Sequence, residues 1–406
     1  MEHRLVTGIE QALDWHGPGS VGVAFARGTL ADPALLSRLM TPYRLLEIIQ
    51  RRHLSNPQLR CYAGGEEIHP SGYLTTVVNR RRQAVQQGDM AALGAILNNG
   101  GTVVLDSVDF FDPVMEVACR ALGWWSGELV SANCYLAVGD TDGFHLHWDD
   151  HDVIAVQLSG EKSWEVRGPS RPVPMHRDAE QNVEPSDELI WSGTMTAGDV
   201  MHIPRGWWHT ATRLGAGSEG HSLHVTFGIT KRTGVTWVNF LSDAARADQE
   251  FRTDLESSRS PIDDEQLLSK VADLARANPP SRYLDRLRAS TSPQRHMPLV
   301  TAFRELDDMS VVAVTEFPPD ITAEGGSVQV SAGGKRLTFH ARAEHALRAL
   351  LSGQPVPLTS GSADLAAVAA QLIKEGLCAP LTEGLSSGYT GLVPSATFSS
   401  GQSISV

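Results

Sequence analysis

Between Leu129 and Ile229 the chain breaks into short β-rich runs: ANCYLAV, HDVIAVQL, KSWEVRG, ELIWSGTM, DVMHIP, HTATRL and HSLHVTFGI. Gly, Pro and Asp separate them, with well-placed breakers at Gly198-Asp199 and Arg205-Gly206. Short strands with turn signals between them are the pattern of an antiparallel sandwich or barrel. The segment reads as a double-stranded β-helix, the cupin-like jelly roll, with roughly eight strands.

The flanks are more helical, so the fold class is α+β. From Ala34 to His53 apolar residues recur at helical spacing. Further helices are expected from Val77 to Gln87, which would make Arg80, Arg81 and Arg82 a solvated helix face, and around Met90 to Leu97. Thr102 to Leu105 is β-rich, and Pro113 to Leu122 reads as a helix closed by Gly123. After Thr230 the helical pattern returns. Ser260-Pro261-Ile262-Asp263 has the cap, the proline and the acid that start a helix, and Asn278-Pro279-Pro280 stops it. From Pro298 to Pro380 a hairpin at Gly333-Gly334 and a last helix from Asp364 to Glu375 suggest a small winged-helix-like unit. The expected divisions are a lead-in (1–125), the barrel (126–230), a helical region suited to dimerisation (231–295), the winged-helix-like unit (296–381) and a Ser/Gly/Thr-rich flexible tail (382–406).

With 41% hydrophobic and 20% charged residues over 406 positions, the chain is ordinarily globular and long enough for two or three cores. Cys61, Cys119, Cys134 and Cys378 form no CxxC pair, and neither a signal peptide nor a membrane-length apolar run is seen, so a cytoplasmic protein is expected. A formal charge of -13 argues against coating nucleic acid non-specifically. No membrane partner and no direct nucleic-acid contact are expected.

The chemistry concentrates in GFHLHWDDHDVIAVQLSG. His145, His147, Asp149 and His151 share one parity, so an extended backbone would turn them to one face. Two ligand sets fit the spacing. His145 and His147 with His209 would make a nitrogen-rich cupin site for Zn, Mn or Fe. His147 and Asp149 with His209 would make the 2-His-1-carboxylate facial triad of an Fe(II) oxygenase. The sequence DVIAVQLSGEKSW then supplies a strand, a Gly turn and Lys162 on the next strand, a cation placed to hold the distal carboxylate of an α-ketoacid, and this favours the triad. His145, His151, His202, His221 and His224 are expected to be hydrogen-bonded structural residues, and Trp148, Trp164, Trp207 and Trp208 to be packing.

The stretch NCYLAVGDTDGFHLHWDDHDVIAVQLSGEKSW, with GDVMHIPRGWWHTA and SLHVTFGI after it, resembles the Jumonji-C (JmjC) oxygenases of the ribosomal-oxygenase, or cupin-4, branch. The resemblance covers the barrel and, by the order of elements, much of the chain. It implies that His147, Asp149 and His209 bind Fe(II) and that Lys162 binds 2-oxoglutarate, with Asn133, Tyr135 and Thr226 lining the cosubstrate pocket. It also implies O2-dependent hydroxylation of an amino-acid side chain in a protein or peptide, a ribosomal protein or a biosynthetic peptide among the options, by a homodimer. The rival reading is a non-catalytic ligand- or metal-binding cupin. Two positions depart from the pattern and bear on the pocket: His202 stands where an aromatic is usual, and His145 where a small residue is common.

Overall fold

The computed structural model describes residues 1–139, 143–176, 183–212, 220–255, 264–298, 309–358 and 363–394. The chain opens with α1 (Arg4–Leu13), β1 (Ala26–Thr29), α2 (Ala34–Leu39), α3 (Pro42–Arg51), β2 (Leu59–Ala63), β3 (Glu66–Glu67), β4 (Leu74–Val78), β5 (Ala84–Gly88), α4 (Met90–Asn98), β6 (Thr102–Leu105) and α5 (Pro113–Ser126). Next come β7 (Leu129–Val138), β8 (Asp152–Arg167), β9 (Leu189–Thr196), β10 (Asp199–Ile203), β11 (Trp208–Thr212) and β12 (His221–Thr230). Three helices follow, α6 (Gly234–Ala245), α7 (Asp264–Ala277) and α8 (Pro280–Ser290).

The major sheet has the order β1-β10-β8-β12-β7-β6-β2-β3, with antiparallel neighbours throughout. Strands β9 and β11 pair with the far half of β8 and form the facing wall. β8 therefore belongs to both walls. The two runs expected as separate strands are one strand of 16 residues, and Lys162 lies on it rather than on a neighbour. Gly160 makes this possible. Its φ of 64° bends the strand without reversing it, and a Cβ there would lie 1.8 Å from the His221 carbonyl oxygen.

Alternation along the strands separates two cores. Ile154, Val156, Leu158, Cys134, Leu136, Val225 and Phe227 face outward and pack with Leu5, Ile9, Leu39 and Met115 of the lead-in helices. Val153, Ala155, Met201 and Ile203 face inward against Trp164, Val166, Met195 and Ala211 of the opposite wall. The second set lines the interior with apolar side chains.

Three local expectations are corrected. Residues 77–87 form the β4/β5 hairpin rather than a helix. The side-chain oxygen of Asn79 accepts the backbone N–H groups of Arg81 and Gln83, and Arg82 adopts φ 60°, so Arg80 to Arg82 occupy an exposed turn. Helix α5 runs past Gly123 and ends at Gly127, which supplies the left-handed closing residue. The tail expected from Thr382 begins with a packed element, because Tyr389, Leu392 and Val393 are buried and Tyr389 meets Arg120 at 3.3 Å. The rest of that tail, 395–406, and the helix start at Ser260 to Asp263 lie outside the described residues.

After α8 come β13 (Ser310–Ala313), β14 (Asp320–Glu324), β15 (Ser327–Ala332), β16 (Lys335–His340), α9 (Glu344–Leu350), β17 (Val356–Pro357), α10 (Ala363–Lys374), β18 (Cys378–Pro380) and α11 (Glu383–Tyr389). They form a three-stranded sheet β17-β13-β18 and a meander β14-β15-β16, joined by one core through Leu347, Leu350, Leu372 and Val330. Helix α11 packs on α5, and Gly388 comes so close that a Cβ would lie 2.5 Å from the Pro113 carbonyl oxygen. Among the described residues no helix is long and apolar enough to cross a membrane.

Candidate metal centre

The residues before β8 do not continue it as a regular strand. Gly143, with φ 65°, lets the chain pass directly over Ala211, where a Cβ would lie 1.6 Å from the carbonyl oxygen. His147 then forms a single antiparallel bridge with His209: its N–H donates to the His209 carbonyl at 3.1 Å, and the His209 N–H donates back at 2.7 Å. The Gly206 N–H donates to the Asp149 carbonyl at 3.0 Å and ties the carboxylate-bearing loop to the PRGWWH turn.

These links gather His147, Asp149 and His209. One ligand atom from each lies within 4.8 Å of the others, and His209 Nε2 is 3.5 Å from an Asp149 oxygen. Each imidazole is oriented from behind. His147 Nδ1 is 2.8 Å from the His145 carbonyl oxygen, and His209 Nδ1 is 3.1 Å from that of Trp207. With Nδ1–H donated to a carbonyl, Nε2 keeps its lone pair, the arrangement usual for metal-binding histidines. One carboxylate and two imidazoles suit a first-row divalent ion such as Fe(II).

Electrostatics follow from crowding three such groups away from water. Burial would raise Asp149, but its hydrogen bond with His209 and the surrounding imidazoles hold it well below the usual carboxylate range. Burial opposes a charge on His209, yet the same hydrogen bond and the Asp149 charge raise it above the ordinary histidine value. His147 is lowered, first by burial and then by His209.

The other histidines of the motif go elsewhere. His145 is largely exposed and meets Glu66 at 3.1 Å, so the set of His145, His147 and His209 is not assembled. His151 lies over Gly228. His202 faces away from the barrel interior. Its Nε2 accepts the Gly22 N–H at 3.1 Å, its Nδ1 lies 2.9 Å from the Ala24 carbonyl oxygen, and Trp15 meets it edge-on. The departure at His202 therefore serves the packing of the N-terminal segment and does not touch the pocket.

On the inner face, Lys162 is 2% exposed and sits opposite Met195. Tyr135 and Thr226 hydrogen-bond through their side chains, and Thr226 pairs in register with Asn133. The Asn133 side-chain oxygen accepts the Ser107 N–H at 2.9 Å, so this residue also fastens the segment after β6. Two further residues line the same inner wall. His224, in register with Tyr135, lies flat on its ring at 4.6 Å, and Trp164 stands between His224 and His209 with ring centroids at 5.3 and 6.3 Å. The alternation His224-x-Thr226 carried that signal, since both must share a face.

Residues 116–236 match the family model described as JmjC domain. A bifunctional lysine-specific demethylase and histidyl-hydroxylase NO66 of Caenorhabditis elegans is 29% identical over 214 residues, 51% of this chain and 26% of the relative. Ribosomal oxygenase 2 of Bos taurus is 36% identical over 122 residues, 29% of this chain and 24% of the relative. The chain thus spans about a quarter of the length of these two curated relatives. Among solved structures, the Escherichia coli ribosomal oxygenase YcfD in complex with cobalt and 2-oxoglutarate superposes with a TM-score of 0.55 at 14% identity, covering 89% of this chain and 96% of that one. That likeness is one of fold. The matched segment holds β7 to β12 and all three members of the His-Asp-His cluster, and this part of the chain is similar to the JmjC domain.

Proposed function

We propose that the protein is an Fe(II)- and 2-oxoglutarate-dependent oxygenase that uses O2 to hydroxylate an amino-acid side chain of a protein or peptide, with succinate and CO2 as co-products. The observation that carries this reading is the cluster of His147, Asp149 and His209, with both Nδ1 atoms turned to backbone carbonyls. Bound Fe(II) supplies the activation of O2, coupled to oxidative decarboxylation of the 2-oxoacid. The chain's own residues do the positioning. His147, Asp149 and His209 would hold the ion. Lys162, buried on the inner wall, offers its ammonium to the distal carboxylate. Tyr135, Thr226 and Asn133 furnish the polar side of the same pocket, and the apolar inner core excludes water beneath it.

The similarity to a histidyl-hydroxylase and to ribosomal oxygenases favours a ribosomal protein as substrate over a biosynthetic peptide. A cytoplasmic location is supported by four buried, unpaired cysteines. We further propose a homodimer built on region 231–295. Helices α6 to α8 bury no residue within the chain, and Val235, Val238, Leu268 and Val271 are exposed by 46% or more. Residues 296–381 are then the separate C-terminal, winged-helix-like unit.

The test is succinate release from the iron-loaded protein, alone and with ribosomal extract, with mass spectrometry for a gain of one oxygen. Turnover requiring both Fe(II) and 2-oxoglutarate is expected. Metal binding with no turnover and no product would favour the non-catalytic cupin.

A further inference from the structure

Among the described residues, the inner wall of the barrel holds two polar side-chain nitrogens that have no hydrogen-bond partner, Trp164 Nε1 and His224 Nδ1. Their residues are 6% and 4% exposed. The two rings meet edge to face, and Lys162 projects from the same face of β8 as Trp164, two residues earlier. An unmet buried polar nitrogen is costly, and native structures rarely leave one without a reason. Two neighbouring ones beside a buried ammonium mark a place where an anion belongs.

We propose that Trp164 and His224 are neutral donors that, together with Lys162, receive the distal carboxylate of the 2-oxoacid. The inference rests on the oxygenase reading above. A carboxylate has about four acceptor directions, so one ammonium leaves room for two more donors. Burial and the nearby Lys162 keep His224 uncharged. The pocket then presents a single positive charge to a single negative one, and the donor at Nδ1 fixes the tautomer of His224. Flat stacking on Tyr135 holds that ring in place. Gln157, in register with His224, also has an unpartnered atom, but Oε1 is an acceptor and does not address a carboxylate.

The test uses the full chain loaded with Co(II) and calorimetric titration with two ligands: 2-oxoglutarate, and 2-oxobutyrate, which has the same 2-oxoacid head without the distal carboxylate. Trp164→Phe and His224→Phe each keep a ring and lose the donor. Each is expected to raise the Kd for 2-oxoglutarate about tenfold or more, the usual weight of a hydrogen bond to a charged group, while the Kd for 2-oxobutyrate stays put. His224→Asn, which replaces Nδ1 with an amide nitrogen, should recover most of the loss. Unchanged 2-oxoglutarate affinity in both Phe variants overturns the proposal and leaves the oxygenase reading standing, as does an equal loss for both ligands. If Trp164→Phe does not fold, the His224 pair decides alone. Failure of the wild-type Co(II) protein to bind 2-oxoglutarate overturns both readings.

Discussion

His147 and His209 face each other across an isolated bridge in which each backbone N–H donates to the other's carbonyl, at 3.1 and 2.7 Å. That exchange holds two candidate ligands 4.4 Å apart, ring to ring, on segments 62 positions apart in the chain. The third, Asp149, is fixed by the Gly206 N–H on its carbonyl rather than by any strand. The cluster is thus positioned by backbone contacts, with one candidate ligand atom of each residue within 4.8 Å of the others.

Removal of a ligand should therefore separate cleanly from removal of its neighbour. Asp149→Ala is expected to weaken Co(II) binding about 100-fold or more, beyond the 10- to 100-fold typical of groups that only support a ligand. His145→Ala is expected to leave Co(II) affinity within about threefold, because its side chain is turned to Glu66. Calorimetric titration of both variants checks this; the reverse order would restore the nitrogen-rich site.

Metal affinity should depend on pH through His209. Its pKa is raised by Asp149, so in the metal-free protein the proton persists to higher pH than on an ordinary histidine. A metal must displace that proton. Affinity is expected to fall as pH drops through that raised pKa, which lies above the ordinary histidine value. Co(II) titrations in buffers of different ionisation enthalpy should show net proton release. No release at neutral pH would contradict the assignment.

Gly160 carries the bend that places Lys162 on the wall facing β10 and β12. Gly160→Ala meets both a positive φ and the His221 carbonyl, and is expected to destabilise the fold by about 2 kcal/mol or more. Thermal unfolding measures it. A midpoint equal to wild type would mean the strand bends by other means.

His202→Ala should behave as a structural lesion. Loss of the Gly22 and Ala24 contacts and of the Trp15 edge is expected to cost about 1–3 kcal/mol in denaturant unfolding, with 2-oxoglutarate affinity unchanged in the fraction that folds. A selective loss of cosubstrate binding would place His202 in the pocket after all.

The barrel and the grouping of His147, Asp149 and His209 were legible in the sequence because both depend on local signals. Alternation marks strands, turn residues mark reversals, and His147-x-Asp149 puts two candidate ligands two residues apart. What was hidden depends on tertiary contact. The continuity of β8 rests on one glycine bending where a turn also fits the sequence, and Asn79 capping its own turn made a hairpin of residues that read as a helix. His202 and His224 look alike in sequence, yet one lies under the N-terminal segment and the other inside the barrel, since adjacent strands set their faces by register. The packing of Tyr389 on α5 required a partner hundreds of residues away.

The most direct test of the central claim is succinate formation from 2-oxoglutarate by the purified chain, with and without Fe(II), in wild type and in Asp149→Ala. Succinate should appear with the wild-type protein only when Fe(II) is present, and should fall to background in Asp149→Ala. Undiminished succinate formation in Asp149→Ala would contradict an iron site made of His147, Asp149 and His209.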